Sequence, residues 1–350
     1  MATVGYGIIG CGNIGPVHAE AISMVRGAKL LAVSDVVKAS AKKLADKYEA
    51  DAYGDYREML ARDDIQAVSL CVPSGLRAEI AEDIAKAGKH LLSEKPLEVT
   101  TKRIDRIIRA TDKAGVRLGC IFQSRFADGP QKVKKAIEQG RFGQLVLGNA
   151  YIKWYRSAEY YASGAWRGTK KIDGGGALMN QGIHQIDLLL WFMGKARRVV
   201  AQTKTIVHEG LEVEDLATAQ IEFENGAYGT IEGSTAMWPG FPARVDVYGA
   251  DGAAWIEDGE LQYWKFKKRR AIDKKIEESL HVDAALGSGA SDPLASLKAE
   301  GHRRQIEDFT KAIKQGREPT IDGREGRNAV ELIETIYKSA NTGRAITIKD

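Results

Sequence analysis

Two short stretches carry residues able to do chemistry. The run "GGGALMNQGIHQIDLLL", Gly174 to Leu190, opens on three glycines and then sets Asn180, His184 and Asp187 at i, i+4 and i+7. On a continuous α-helix those positions share one face. The run "KHLLSEKPLEVT" puts Glu94, Lys95 and Pro96 at the end of a strand-like segment. In an open α/β sheet the carboxyl ends of the strands form the edge that binds ligands, so a lysine there can meet a substrate. To take a proton its amine must be partly neutral, and both desolvation and a neighbouring positive charge lower its pKa toward that range. Glu94 would oppose this by pairing with the amine. A surface Glu-Lys pair ahead of a proline turn is the alternative reading of the same residues.

A third stretch can bind a dinucleotide, whose positive nicotinamide ring would be that neighbour. In "YGIIGCGNIGPVHAEAI" the pattern Gly10-x-Gly12-x-x-Gly15 follows a strand and opens a helix, the context in which it marks a dinucleotide site. Glycines permit a tight turn and close backbone approach, so a pyrophosphate can rest on the amides of Asn13 and Ile14 at the positive helix end. Asp35, ending "LLAVSD", stands where a carboxylate accepts hydrogen bonds from adenosine ribose hydroxyls and repels a 2′-phosphate. NAD is therefore expected over NADP, with Lys38 tempering the preference. A helix N-cap or a solvated turn is the other role open to Asp35. His18 is read as a packing or capping histidine rather than a catalyst.

These stretches need elements to hold them. From Val4 to about Cys120, apolar runs ("YGIIG", "KLLAVSD", "AVSLCVP", "KHLLSE", "VRLGCIF") alternate with amphipathic helical stretches, as a doubly wound parallel sheet requires. Beyond Phe122 a helix is expected near Pro130–Gln139, then alternating strands in "RVVAQTKTIV", "ATAQIEF", "AYGTIEGST" and "ARVDVYG", an antiparallel sheet of an α+β domain. At 350 residues the chain exceeds one ordinary core, and the domains are placed at 1–122 and 123–350. Helices near Arg303–Gln315 and in "REGRNAVELIETIYKSA" could cover either domain. Glu277 to Leu297 is expected to be a surface loop.

Composition narrows the class of function. A net charge of +4 is too small to imply nucleic acid or a membrane as partner. Cys11, Cys71 and Cys120 lie far apart in no metal-ligand spacing, so neither disulfides nor a metal site is expected and a reducing, cytoplasmic setting fits. No apolar run reaches the roughly 18 residues of a membrane span. The segment "NAYIKWYRSAEYYASGAWRGTKK" offers Trp154, Tyr155, Tyr160, Tyr161 and Trp166 with Lys153, Arg156 and Arg167. Aromatic faces stack on a pyranose and arginine forks hold carboxylate or phosphate, while an exposed strand or interface explains the same residues structurally. Arg125 in "FQSRF" is either a substrate contact or a pairing residue between domains. The seven basic residues from Lys265 to Lys275 are read as a lysine-protected strand edge rather than a nucleic-acid patch.

The glycine loop, "EKP" and "GGGALMNQGIHQID", in this order and at these separations, resemble the Gfo/Idh/MocA family of NAD(P)-dependent oxidoreductases over nearly the whole chain. The resemblance implies an α/β protein with an N-terminal Rossmann domain, a parallel doubly wound sheet. It also implies a C-terminal α+β domain with a large open, mostly antiparallel sheet through which homodimers or homotetramers form. It implies a cis Lys95–Pro96 bond, Lys95 as catalytic lysine, His184 as its partner in proton handling, and Asp187 as a ligand of sugar or polyol hydroxyls. Trp166 and Arg167 match a pair that contacts cofactor, and Val72 and Pro73 open the loop along the nicotinamide. Glu94 is grouped with the cofactor residues; Arg125, Tyr155 and Asn180 with those of the substrate. The triple glycine is expected to let the second domain approach the cofactor. Two positions depart from the pattern. Asn180 stands where many members carry aspartate and cannot take a proton, a feature shared with UDP-N-acetylglucosaminuronate oxidases, and Arg77 stands where histidine is common. The expected reaction is NAD-dependent oxidation, or the reverse reduction, at a secondary hydroxyl of a sugar, glycoside, sugar nucleotide or polyol. A redox-neutral NAD-dependent glycosidase and a noncatalytic NAD-binding regulator are the alternatives.

Overall fold

The computed structural model describes residues 3–280 and 299–348. They divide into two compact units, 3–123 with 299–327, and 124–280 with 328–348. Most of the loop expected over Glu277–Leu297 lies outside the described residues; Glu277 and Glu278 themselves close a helix.

The first unit is built on six parallel strands, β1 (Val4–Ile9), β2 (Ala28–Ser34), β3 (Asp51–Tyr53), β4 (Ala67–Leu70), β5 (His90–Ser93) and β6 (Leu118–Cys120), in the order β3-β2-β1-β4-β5-β6. This is the Rossmann order, and its switch point lies between β1 and β4. Strands β1 and β4 are buried along their whole length, which explains their unbroken apolar runs. Strand β3, three residues long and mostly exposed, carries no such run and was not legible. The connecting helices are α1 (Gly15–Ser23), α2 (Lys38–Tyr48), α3 (Tyr56–Leu60), α4 (Arg77–Lys86) and α5 (Thr101–Ala114). Local chemistry sets the ends of α5. The Thr100 hydroxyl accepts the Arg103 N–H, Gly115 closes the helix at φ 67°, and Ile104, Ile107 and Thr111 line the buried stripe between them. Losing the Thr100 cap would cost about 1 kcal/mol.

A cut after residue 122 does not describe this unit fully, because α10 (Ala299–Gln315) returns to it. Ile306 and Phe309 join the core formed by Tyr6, Ile8, Ile22, Leu30 and Val33. The Tyr6 hydroxyl meets Thr310 Oγ1 at 2.8 Å inside that core. A buried tyrosine hydroxyl needs a partner, and a helix about 300 residues away in sequence provides it.

The second unit carries α6 (Asp128–Glu138), β7 (Leu145–Lys153), α7 (Ala158–Ala162), α8 (Ile183–Met193), β8 (Ala196–Lys204), β9 (Leu216–Phe223), β10 (Tyr228–Ser234), β11 (Arg244–Gly249), β12 (Gly252–Glu257), β13 (Glu260–Phe266), α9 (Ala271–Glu278) and β14 (Ile346–Thr347). Its eight-stranded sheet has the order β13-β12-β11-β7-β10-β9-β8-β14. Only β7 and β10 pair in parallel; the other neighbours are antiparallel. Buried and exposed residues alternate along β9, as a sheet packed on one face demands. Helix α8 supplies Ile183, Ile186, Leu189 and Phe192 to the covered face. The basic run splits: its first lysine lies on β13, an edge strand, and its last two on α9. A last helix, α11 (Gly323–Thr342), passes from the first unit to the second after Arg327. No helix among the described residues is long and apolar enough to cross a membrane.

Candidate active site

Because β1, β2, β4 and β5 run parallel, the segments after them all leave one edge of the sheet: the glycine loop, Asp35, Val72–Pro73 and Glu94–Lys95. Gly10 has φ 98°, and a Cβ there would lie 2.8 Å from the Cys71 carbonyl; at Gly15 it would overlap the Gly10 carbonyl oxygen. At Gly12 it would meet nothing within 4 Å. Two glycines thus shape the turn, and the third leaves open backbone where a pyrophosphate can approach. Gly12 and Asn13 are exposed, Ile14 is half-buried, and α1 begins at the next residue with Pro16 in its first turn. The arrangement fits an anion at the helix end.

Asp35 is half-buried and ties this loop to the next. One carboxylate oxygen accepts Cys11 N–H at 2.7 Å and the other accepts Val37 N–H at 2.8 Å. It is not the N-cap of α2, a place taken by Val37 without side-chain capping. Each oxygen keeps a second lone pair for a ribose hydroxyl.

The segment after β5 holds an arrangement absent from the sequence reading. Throughout Leu91–Val99 every residue is buried except Lys95, which is half-buried. The Lys95–Pro96 peptide is cis. Glu94, only 4% exposed, does not offer its side chain to a cofactor. Its Oε1 accepts from His18 Nε2 at 2.9 Å and from His302 Nε2 at 3.3 Å, and its Oε2 accepts the Lys95 backbone N–H at 3.0 Å. Burial opposes ionisation of Glu94, but the bonds from the two imidazoles outweigh it and hold the carboxyl well below its usual range. Burial likewise pushes His18 below the usual imidazole range. The departure at Arg77 gains a role. Buried, it donates to the carbonyls of Val72, Glu94 and Pro96, joining the loop after β4 to the lysine loop. A guanidinium reaches three carbonyls at once, which an imidazole cannot.

In the second unit the residues expected on one helical face are divided by a π-helical segment, Ala177–Gly182, ahead of α8. Its wider turn breaks the i, i+4, i+7 alignment. Asn180 lies in the π segment, half-buried, and its Nδ2 donates to Asp173 Oδ1 at 2.6 Å. His184 lies in the first turn of α8, half-buried. Asp187 is 1% exposed, and Arg125 grips both its oxygens, Nε to Oδ2 at 2.8 Å and Nη2 to Oδ1 at 2.7 Å. The carboxylate expected to meet ring hydroxyls is thus engaged within the unit, and Arg125 is a pairing residue whose partner belongs to the same unit.

The triple glycine serves local packing. A Cβ at Gly176 would overlap the Glu214 carbonyl oxygen, and one at Gly175 the Tyr337 hydroxyl. The Glu214 carboxylate accepts N–H groups of Gly176 and Leu178, each at 3.0 Å, and the Tyr337 hydroxyl at 2.9 Å. Burial raises this carboxyl above its usual range. Glu214, Asp173 and Tyr337 carry no local signal, because their partners lie on other elements.

The aromatic segment is woven together. Arg167 lies over the rings of Tyr160 and Trp166 at 4.3 and 4.5 Å and donates to the Tyr160 hydroxyl at 2.7 Å. Gln181 Nε2 donates to the same hydroxyl at 2.7 Å, while its Oε1 accepts from buried Arg156. Tyr155 is half-buried, its carbonyl taken by Arg156 Nη1. Lys153 pairs with Glu232 and the Tyr161 hydroxyl bonds Thr235 Oγ1.

Known proteins share this fold. Residues 4–122 match the model of the oxidoreductase family with an NAD-binding Rossmann fold, and residues 131–255 match the GFO/IDH/MocA C-terminal domain. Myo-inositol 2-dehydrogenase of Thermotoga maritima is 27% identical over 356 residues, 98% of each chain. Inositol 2-dehydrogenase of Rhizobium meliloti is 25% identical over 99% of each chain. The WlbA dehydrogenase of Bordetella pertussis, solved in complex with NADH and UDP-GlcNAcA, is 31% identical with a TM-score of 0.89, over 100% of this chain and 99% of that one. The chain belongs to the GFO/IDH/MocA family of oxidoreductases, with its NAD-binding Rossmann domain at the amino end and the family's C-terminal domain after it.

Proposed function

We propose that the protein is an NAD-dependent dehydrogenase that interconverts a secondary hydroxyl and a ketone on a sugar, glycoside, sugar nucleotide or polyol, with Lys95 and His184 handling the proton. The carboxyl edge of the parallel sheet carries this reading: the open glycine loop, Asp35, and a lysine that alone in its segment escapes burial. NAD, when bound, supplies the hydride acceptor. The amides of Asn13 and Ile14 would hold its pyrophosphate, and Val72, Pro73 and Lys95 would border its nicotinamide. Asp35 accepts the ribose hydroxyls and repels a 2′-phosphate, which favours NAD over NADP. Lys95 takes the hydroxyl proton, His184 shares it, and the Asn180 carboxamide orients a ring hydroxyl without titrating. Trp166 and Arg167 are assigned to the cofactor and Tyr155 to the sugar. Asp187 and Arg125 support α8 from within rather than touching substrate. Buried free thiols at Cys11, Cys71 and Cys120 suit a cytoplasmic setting. Exposed Val146, Val200 and Tyr228 on strands of the open sheet suit a homodimer or homotetramer, which sedimentation velocity tests.

The deciding experiment mixes purified protein with NAD or NADP and a panel containing UDP-N-acetylglucosaminuronic acid and myo-inositol, chosen from the names of the relatives. Reduced-nicotinamide absorbance and product chromatography are read together. Substrate-dependent absorbance growth with NAD is expected, and the sugar nucleotide is the first candidate. Lys95→Met should lose at least about 100-fold in rate, the span general base catalysis supplies, with NADH affinity retained. Near-normal turnover by that variant would remove Lys95 from the mechanism, and released sugar without net reduction would point to redox-neutral chemistry.

A further inference from the structure

Three N–H donors converge on one buried side chain. His18 arrives on α1, Lys95 follows in the chain, and His302 comes from α10, 208 residues beyond Glu94. An amide in place of Glu94 has one acceptor atom and could not serve all three, whereas a carboxylate has two. Burying that charge is costly, and a turn needing only one backbone bond does not require it. We propose that His18 and His302 are positioning residues which, through Glu94, hold the Lys95 peptide in place for proton transfer. The inference rests on the assignment of Lys95 as the proton-handling group.

The bonds form a chain of constraints. Ser69 Oγ lies 3.1 Å from His18 Nδ1, so the serine hydroxyl donates there and His18 turns its Nε2–H to Glu94. His302 packs edge-on against His18, ring centroids 5.2 Å apart, and its Nδ1 is buried with no hydrogen-bond partner among the described residues, so Nε2 is the ring nitrogen that donates, to Glu94. With two donors on Oε1 the carboxylate cannot rotate without losing both, and Oε2 stays on the Lys95 N–H. Arg77 secures the carbonyls on either side, Glu94 and Pro96. The lysine backbone is thereby held at its N–H and at both flanking carbonyls while the rest of the side chain extends from a fixed base. An error of about 1 Å at a reacting group costs on the order of 100-fold in rate, which is the advantage of such a grip.

The test compares Glu94→Gln, His302→Leu and His302→Gln, with Lys95→Met as control. Hydrogen exchange of the Lys95 amide, followed by NMR in protein labelled at lysine and leucine, needs neither substrate nor cofactor. Glu94→Gln and His302→Leu should speed that exchange at least about tenfold, with the Leu91 and Leu92 amides unchanged. The same variants should lower kcat for UDP-N-acetylglucosaminuronic acid, or for whichever panel member turns over, by about 10- to 100-fold, with NADH affinity within about threefold. His302→Gln, which still presents an N–H to Oε1, should recover a large part of both losses. Glu94→Gln is nearly isosteric and keeps the test alive if His302→Leu does not fold. Exchange and kcat within twofold of the parent in Glu94→Gln and His302→Leu would overturn the inference. So would equal losses in His302→Gln and His302→Leu, or stoichiometric metal bound to the three side chains. Turnover by Lys95→Met would instead sink the catalytic assignment, and the exchange data would still report whether the grip exists.

Discussion

Breaking the Arg125–Asp187 pair separates a structural carboxylate from a substrate ligand. Both side chains are buried, at 5% and 1% exposure, and two hydrogen bonds of 2.8 and 2.7 Å join them in a fork. Asp187→Asn preserves shape but strands a guanidinium in the core; Arg125→Met strands a carboxylate. Removing one member of a buried pair costs about 3–5 kcal/mol because the remaining charge loses its compensation. The double variant removes both charges, so it should cost little more than either single change and give a coupling of about 3 kcal/mol. All six tryptophans lie between Trp154 and Trp264, inside the second unit. Urea unfolding followed by tryptophan fluorescence therefore reports that unit alone and avoids averaging over two. A coupling below about 1 kcal/mol, or an Asp187→Asn variant of normal stability with a KM raised tenfold, would refute the structural role and return Asp187 to the substrate.

Other perturbations have equally definite outcomes. Gly12→Ala should leave the melting curve of the protein unchanged, because a Cβ there meets nothing within 4 Å, yet weaken NADH binding in titration calorimetry. Gly176→Ala should destabilise the second unit by about 3 kcal/mol or more, since the new methyl overlaps the Glu214 carbonyl. Asp35→Asn should raise kcat/KM with NADP relative to NAD by about tenfold or more, as the charge that repels a 2′-phosphate is removed. Asp273 supplies a pH dependence. Burial opposes its ionisation, but Arg141, the Trp264 indole N–H and the Arg270 N–H outweigh burial and bring the carboxyl down to about 2. A depressed carboxyl adds stability that is fully present above its unfolded pKa of about 3.9 and fades as pH falls toward 2, on the order of 2 kcal/mol in all. The gap in urea midpoint between wild type and Asp273→Asn should accordingly be full at pH 6 and shrink at pH 3; a constant gap would contradict it.

Much of the fold was readable because its requirements are local. A glycine at φ 98° two residues before an open glycine, and strands whose burial alternates or runs unbroken, write themselves into neighbouring residues, whereas the cis Lys95–Pro96 bond was expected only from the resemblance. The parallel sheet then places the loops after β1, β2, β4 and β5 on one edge whatever the details of packing. Asn180, His184 and Asp187 were misaligned for the opposite reason. Spacing assumes an α-helix throughout, and the π turn at Ala177–Gly182 depends on Glu214, which lies 36 and 38 residues from the two amides it receives.

By itself the sequence determined the fold class and the family, since these depend on the types and order of residues along the chain, and it offered the glycine loop, Lys95 and His184 as candidates. Only the tertiary structure decided what the buried charges do. Glu94 finds His302 208 residues away, Asp187 finds Arg125 at 62, and Glu214 finds Tyr337 at 123. The same structure returned 299–327 to the first unit. A charge taken out of water must be met by whatever donor the fold brings beside it, and that choice belongs to the crossing of elements rather than to any stretch of chain.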